Sequence, residues 1–554
     1  MEKNCKQCGD EFEVTDGDLD FYKKASPNID GKKFGIPSPK FCPDCRNQRR
    51  LVFRNERNLY RKNCDLCKKS MIAVFDDKVS FPVYCGECWW SDKWDPMKYG
   101  MDFDFDRSFF EQFKELMEVV PKVNLLQLNN ENCEYNNLVG LSKNTYMSPG
   151  SYCVEDCYYC RKSQHSRDCV DCNFIDHSEL LIACINCNKC YGSRNLINCN
   201  NCRDCAYLAD STGCENCFMC ASVSRKKYCI KNKQYSKDEY EKIVSEKLMG
   251  DPDVLLNEFL EFSKTIPKKA LNKINCEKCT GDYIQNCKNS EECYDCFDLE
   301  DCKYLVESVE AKDCMDMSMH DKENQLCYEI SAGGEKNNLL RFTFCSCVSY
   351  DSDYLYSCFY LTESLGCDGF HSKQKNCILN KKYSEEEYKE LRRRIIEKML
   401  EDEEYGEFFP TELSLHAYNE TVANEYYPMT KDEVVNRGWR WREKDHMEYK
   451  KVDIKPPERI GDVTDDILNS IFGCDRCGRN YKVLKQELGL LRKLKYPVSK
   501  HCPECRHLDL LTLKNPRKLW DRECARCEKK VQTTYSPERE EPIFCEKCYL
   551  KEVY

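Results

Sequence analysis

VEDCYYCRKSQHSRDCVDCNFIDHSELLIACINCNKCYGSRNLINCNNCRDCAYLADSTGCENCFMCASVSRKKYCIKN, residues 154–232, is the stretch that decides the fold. Cysteine returns here every fifteen residues. Cys169, Cys184, Cys199, Cys214 and Cys229 form one column, Cys157, Cys172, Cys187, Cys202 and Cys217 a second, and Cys160, Ile175, Cys190, Cys205 and Cys220 a third. One small residue type in fixed columns marks a solenoid, whose turns stack so that each covers the inner face of the next. The expected fold is mostly β: cysteine-rich β-solenoids with capping helices, flanked by double zinc ribbons at both termini.

Two explanations compete for the columns. Cysteine can act as a compact buried hydrophobe, or thiolates from neighbouring turns can share zinc, copper or iron–sulfur centres. A turn supplies three sulfurs where a tetrahedral site needs four, and no histidine stands in the columns, so packing is favoured. Additional solenoid metal stays open. His165 and His177 lie outside the columns, and a ligand role for either would call for a nearby cysteine turn. From Cys276 to Cys377 the pattern recurs in decayed form: Cys287 and Cys302 keep the step and Met317 follows, whereas Cys293, Cys296, Cys327, Cys345, Cys347, Cys358 and Cys367 hold no single register. Leucine and methionine fill a packing column, but leucine cannot ligate a metal, so this decay argues against a metal lattice.

Working outward, C-x2-C pairs crowd both ends of the chain. Cys5 and Cys8 pair with Cys42 and Cys45, and Cys64 and Cys67 with Cys85 and Cys88. At the other end Cys474 and Cys477 pair with Cys502 and Cys505, and Cys524 and Cys527 with Cys545 and Cys548. Two such turns on neighbouring hairpins give the tetrahedral four-sulfur shell that zinc prefers, so about four structural Zn2+ sites are expected. Every cysteine from Cys42 to Cys88 maps onto a later one by adding 460, and Arg46, Leu51, Asn55, Arg57 and Leu59 reappear as Arg506, Leu511, Asn515, Arg517 and Leu519. This is an internal duplication. The linker between the first two ribbons carries a dense basic run, Arg46, Arg49, Arg50, Arg54, Arg57, Arg61 and Lys62, with interleaved aromatics. Such a run can contact phosphates and stack bases, or it can pair with carboxylates of its own chain or of a partner.

The segments between are helical or connecting. Ser108 to Glu111 predicts a capping box, and Phe109, Phe113, Leu116, Met117 and Val120 the stripe of a helix covering an open solenoid end. The phrase from Cys229 to Tyr240 returns from Cys377 to Tyr388, each with a capping box (Ser236 to Glu239, Ser384 to Glu387) leading into a bracing helix. Trp89, Trp90 and Trp94 are expected to seal the first ribbons against the next segment of the chain. The expected domains are residues 1–96, a double ribbon; 97–132, an acidic segment and capping helix; 133–234, the cysteine-ladder solenoid; 235–270, a helical connector; 271–382, the degenerate solenoid; 383–466, a helix and ordered connector; and 467–554, the second double ribbon.

Composition narrows the function. The 554 residues are 33% charged and carry a net charge of −11, with a mean hydropathy of −0.73, so binding nucleic acid through a global field is excluded. No apolar run is long enough to span a bilayer and no apolar signal region opens the chain, which predicts a cytoplasmic protein with no membrane association. Of 45 cysteines, the many C-x2-C pairs suit metals better than disulfides.

The stretch Tyr84 to Asp95 (YCGECWWSDKWD), residues Asp102 to Phe113, Asn380 to Ser384, Tyr418 to Thr421 and the C-terminal double ribbon resemble uncharacterised cysteine-rich zinc-ribbon proteins of candidate-phylum-radiation bacteria. The resemblance covers most of the chain and implies this architecture and zinc, with no activity attached. The residues contain no phosphate loop, metalloprotease helix or hydrolase elbow, and closed four-cysteine shells leave no place for water. The expected function is therefore a non-enzymatic, zinc-stabilised scaffold or protein-interaction protein, with a protein partner or self-association. An RNA-binding or ribosome-associated factor and a metal store in the solenoid cysteines are the alternatives.

Overall fold

The computed structural model describes residues 1–443, 449, 452 and 454–553; part of the connector expected over 383–466 lies outside the described residues. It contains a β-solenoid core flanked by helices, with cysteine clusters near both termini.

The first solenoid winds in coils of twelve residues, not fifteen. Cys157 pairs in parallel with Cys169, Cys169 with Leu181, Leu181 with Ser193, Arg194 with Ala206 and Ala206 with Phe218. Every third residue from Cys153 to Lys231 takes a left-handed backbone, with φ between +45° and +66°. Each coil is thus four straight sides of three residues, and the residue after each bend points inward. Cysteine recurs every fifteen residues because that step is five sides against a coil of four. The cysteines climb the solenoid as a diagonal, and the true vertical column runs Cys157, Cys169, Leu181, Ser193, Cys205, Cys217, Cys229.

These bends are costly for residues with a Cβ, by roughly 1 kcal/mol or more each. Asn and Asp tolerate the conformation best, and they occupy many corners, among them Asp156, Asp168, Asn186, Asn198 and Asp210. Their side chains join coil to coil: Asn186 Nδ2 donates to Asn198 Oδ1 at 3.0 Å, and Asn198 Nδ2 to Asp210 Oδ1 at 3.0 Å. Inside, the thiols are hydrogen-bonded to the backbone. Cys160 Sγ lies 3.5 Å from the carbonyls of both Tyr158 and Cys169. Buried serines do the same and more: Ser178 Oγ donates to Asp176 O at 2.9 Å and accepts from Cys190 N at 3.1 Å.

The second solenoid opens with a step of eleven residues, Lys273 to Ile284, and then takes the twelve-residue coil: Gly281 pairs with Cys293 and Val306 with Ser318. It then takes thirteen residues at three steps, Met315 to Tyr328, Tyr328 to Arg341 and Leu361 to Gln374. These insertions shift the inward positions along the chain, so Cys327, Cys358 and Cys367 fall out of step with Cys287 and Cys302. They also explain why Asp171 and Asp316 stand 145 residues apart, while Cys229 and Cys377 stand 148 apart.

Two compact units interleave along the chain: Met1–Leu125 with Asn272–Glu443, and Leu126–Leu271 with Lys444–Tyr554. Each double ribbon therefore shares a unit with the solenoid more distant from it in sequence. In the first unit, helix Phe109–Val119 buries Phe109, Phe113, Leu116 and Met117. It lies against the flank of the second solenoid, where Phe109 meets Tyr354 with ring centroids 5.2 Å apart, and does not close a solenoid end. Gly366 permits this approach: its φ is +62°, and a Cβ there would stand 2.9 Å from Phe109 Cζ. Ser108 caps the helix as expected, but the reciprocal carboxylate is Glu404, which accepts from Phe109 N at 3.0 Å. The expected capping boxes at Ser236 and Ser384 are both formed. Trp89 and Trp94 are buried and Trp90 is 42% exposed, and all three pack against Phe359 or His371 of the second solenoid, Trp90 with its ring centroid 5.0 Å from that of Phe359. In the second unit, helices Lys237–Lys247 and Pro252–Lys264 bury Tyr240, Val244, Leu255 and Phe259 in a cluster with Tyr207 and Phe218 of the solenoid wall.

Candidate metal centres and their docking arginines

Each ribbon is a short hairpin carrying one C-x2-C turn, met by a second C-x2-C turn that opens a helix. In the first, strands Glu2–Asn4 and Glu11–Glu13 flank Cys5 and Cys8, and Gly9 closes the turn with φ +83°. Cys42 sits at the N-cap of helix Pro43–Leu51, with Pro43 and Cys45 in its first turn. The same geometry recurs at Cys502 and helix Pro503–Thr512.

Four groups of four cysteines result: Cys5, Cys8, Cys42 and Cys45; Cys64, Cys67, Cys85 and Cys88; Cys474, Cys477, Cys502 and Cys505; Cys524, Cys527, Cys545 and Cys548. Within each group the sulfurs lie within 4.8 Å of one another, an arrangement suited to metal coordination. The closest cross-turn contacts are Cys8 to Cys42 at 3.7 Å, Cys67 to Cys85 at 3.8 Å, Cys477 to Cys502 at 3.7 Å and Cys527 to Cys545 at 3.8 Å. A disulfide would need about 2.05 Å. A tetrahedron of sulfurs around a centre with bonds of about 2.3 Å has an edge of about 3.8 Å. The donor set therefore fits a single tetrahedral ion.

In three of the four groups the backbone favours the thiolate of one cysteine, while burial raises others such as Cys88 and Cys548. Cys85 N lies 3.2 Å from Cys64 Sγ, and Cys545 N lies 3.3 Å from Cys524 Sγ. Burial works against the thiolate of Cys64, but N–H groups of Cys67, Cys85 and Leu66 outweigh it and hold the thiol down to about 7. The same balance, with burial again opposing, brings Cys474 and Cys524 to about 6.

Geometry, not acidity, sets the solenoid thiols apart. Burial pushes Cys293, Cys296 and Cys367 well above the ordinary thiol range, while at Cys169 and Cys184 burial is outweighed by hydrogen bonds from neighbouring thiols, which hold both at about 6, but among the described residues no solenoid cysteine belongs to a metal-suited group. One further group does, and it was missed in sequence: His165, Asp176 and His177. The partner of the two histidines is a carboxylate, not a cysteine turn. The signal for it is the twelve-residue step from His165 to His177, visible only once the coil length is known.

Directly after Cys45 and Cys505, the last ligand of the first ribbon in each pair, comes an arginine that fastens the ribbon to a solenoid. Arg46 Nε donates to Asp316 at 2.9 Å, with its guanidinium 5.2 Å above the Tyr304 ring. Arg506, 460 residues on, lies 3.0 Å from Asp171, with its guanidinium 5.1 Å above Tyr159. In both cases the aromatic ring stands one coil before the aspartate. The two ribbons thus share a docking arrangement as well as a cysteine knuckle.

The candidate nucleic-acid contact through Arg46, Arg49, Arg50, Arg54 and Arg57 is corrected by this packing, because all five side chains are buried. Arg49 reaches Glu407 at 2.9 Å, Arg50 reaches Glu329 at 2.7 Å, and Arg54 reaches Glu307 at 3.0 Å as well as Glu56. Burial alone would discharge Arg46, but the facing Asp316 outweighs it and keeps the guanidinium charged. Of the run, Arg61 is exposed and Lys62 half-buried beside Asp65 at 3.8 Å. Arg46, Arg49, Arg50 and Arg54 are thus paired with carboxylates of their own protein.

No protein-family model matches this chain, and no curated protein is detectably similar to it. Among the described residues no helix is long and apolar enough to cross a membrane.

Proposed function

We propose that this chain is a non-enzymatic, zinc-stabilised scaffold, in which four closed four-cysteine zinc sites shape two double ribbons and each double ribbon is riveted to a solenoid. The observation that carries the reading is the set of cross-turn sulfur distances of 3.7–3.8 Å, repeated in all four ribbons. Zinc would be held by Cys5, Cys8, Cys42 and Cys45 and by the three equivalent groups. Four protein sulfurs complete its shell, so the metal supplies folding energy and no reactive water. The hydrogen-bonded solenoid thiols support packing over metal storage, and the buried arginines turn the interaction surface away from phosphate and toward protein partners met by rigid coil faces.

Elemental analysis of anaerobically purified protein tests this. Four zinc atoms per chain are expected, falling to three in Cys85→Ser with local loss of the second ribbon's hairpin, Tyr60–Asn63 with Ser70–Ala73. An unchanged zinc count in Cys85→Ser, or iron in place of zinc, would overturn the proposal.

A further inference from the structure

We infer that the first solenoid carries a fifth, exchangeable metal site, built from His165, Asp176 and His177 and open to solvent. The coil makes it. Gln164 and Asp176 are register partners on successive coils, so His165 and His177, each the next residue, stand one above the other. Both take the left-handed bend, with φ of +45° and +46°, which projects their side chains from the same corner. The imidazoles stack with centroids 4.6 Å apart at 24°.

The carboxylate lies between the two Nδ1 atoms. Asp176 Oδ1 is 3.3 Å from His165 Nδ1 and 2.8 Å from His177 Nδ1. Two metal–ligand bonds of about 2.0–2.1 Å place their donor atoms about 2.9 Å apart at a right angle and about 3.3 Å apart at the tetrahedral angle. The two observed separations match such edges, and all three ligand atoms lie within 4.8 Å of one another. The other oxygen is tethered from the next coil, where Asn188 Nδ2 donates to Asp176 Oδ2 at 3.3 Å. That bond leaves Oδ1 turned to the imidazoles, the kind of outer support that orients a ligating carboxylate.

Two imidazoles and one carboxylate suit a borderline divalent transition ion, zinc or nickel, and not calcium or magnesium, which require oxygen ligands. Three protein donors leave at least one position to water or to a donor from another molecule. The His165 and His177 side chains are 43% and 53% exposed, so an ion here exchanges while ions in closed four-sulfur shells do not. The site does not depend on the zinc assignment of the ribbons, since it shares no residue with them.

The test uses the full chain without a polyhistidine tag, washed briefly with EDTA and titrated anaerobically with Ni2+ alone by calorimetry. One Ni2+ per chain is expected, bound at least tenfold more weakly in Asp176→Asn and not measurably in His165→Gln or His177→Gln, with the ribbon metal count the same in all four proteins. These are surface substitutions, and an unchanged circular-dichroism spectrum separates loss of the site from loss of fold. Nickel binding that is equal in the variants, or absent from the wild type at millimolar metal, would overturn the site. Neither result bears on the four-sulfur groups.

Discussion

Replacing Arg46 with Met tests the docking device directly. The pocket holds three guanidinia, Arg46, Arg49 and Arg50, against three carboxylates, Asp316, Glu329 and Glu407. Asp316 and Glu329 have fully buried side chains. Methionine keeps much of the aliphatic volume but leaves one carboxylate charge uncompensated. Arg50 Nη1, 3.3 Å from Asp316, offsets part of the loss, but it already serves Glu329. Breaking a buried pair in this way costs about 3–5 kcal/mol, and the shared Arg50 places the expectation at the lower end. With a urea dependence of about 3 kcal/mol/M, the unfolding midpoint should fall by about 1 M. Tryptophan fluorescence is the assay, because Trp89, Trp90, Trp94, Trp439 and Trp441 all lie in the first unit and only Trp520 in the second. Adding Asp316→Asn removes the stranded charge, so the double variant should recover about 2 kcal/mol relative to additivity. A cost below about 1 kcal/mol for Arg46→Met, or strict additivity in the double variant, would refute the view that this arginine is a buried rivet.

Other perturbations separate the remaining roles. Cys296→Ala should cost about 1 kcal/mol by removing buried volume, with zinc content by elemental analysis unchanged; loss of metal would make the solenoid thiols ligands. His416 is buried and stacked on Phe75 with centroids 5.1 Å apart, and burial, reinforced by Arg440, lowers its pKa to about 3. The folded state therefore prefers the neutral imidazole: its contribution is complete above the ordinary value of 6.5 and falls by about 1.4 kcal/mol per pH unit as the pH drops from there toward 3. Urea titrations at pH 7 and pH 5.5 should show that loss in the wild type and a shallower one in His416→Phe.

The solenoid class and the four cysteine groups were legible because each rests on local spacing: a C-x2-C turn aims two sulfurs by itself, and a three-residue side repeats by itself. Coil length was not, because any multiple of three aligns the inward cysteines, and how many sides close a coil is settled by backbone bends that cysteine spacing does not encode. The better signal is polar. Asn186, Asn198 and Asp210 stand twelve apart at corners, as do His165 and His177. The basic run between the first ribbons was also ambiguous in sequence, since Arg46 to Arg54 show their charge and not the carboxylates, more than 250 residues away, that neutralise it. Nor does chain order disclose that each double ribbon belongs with the farther solenoid.

That crossed pairing has a consequence in time. Arg46 is made 270 residues before Asp316, so at synthesis rates of about 5–20 residues per second the first ribbons wait roughly 15–55 s for their seat. The homologous seat at Tyr159 and Asp171 emerges first. Its next coil offers Ala183 where Asp316 is followed by Glu329, and Lys162 stands 145 residues before Glu307. The early seat thus withholds the partner of Arg50 and opposes Arg54 with a like charge. The C-terminal ribbon has Leu510 at the position of Arg50 and so asks for no carboxylate there. At one position, Arg50 against Leu510, each ribbon matches the coil it meets, so the early seat is the poorer one for the first ribbon while the chain is being made.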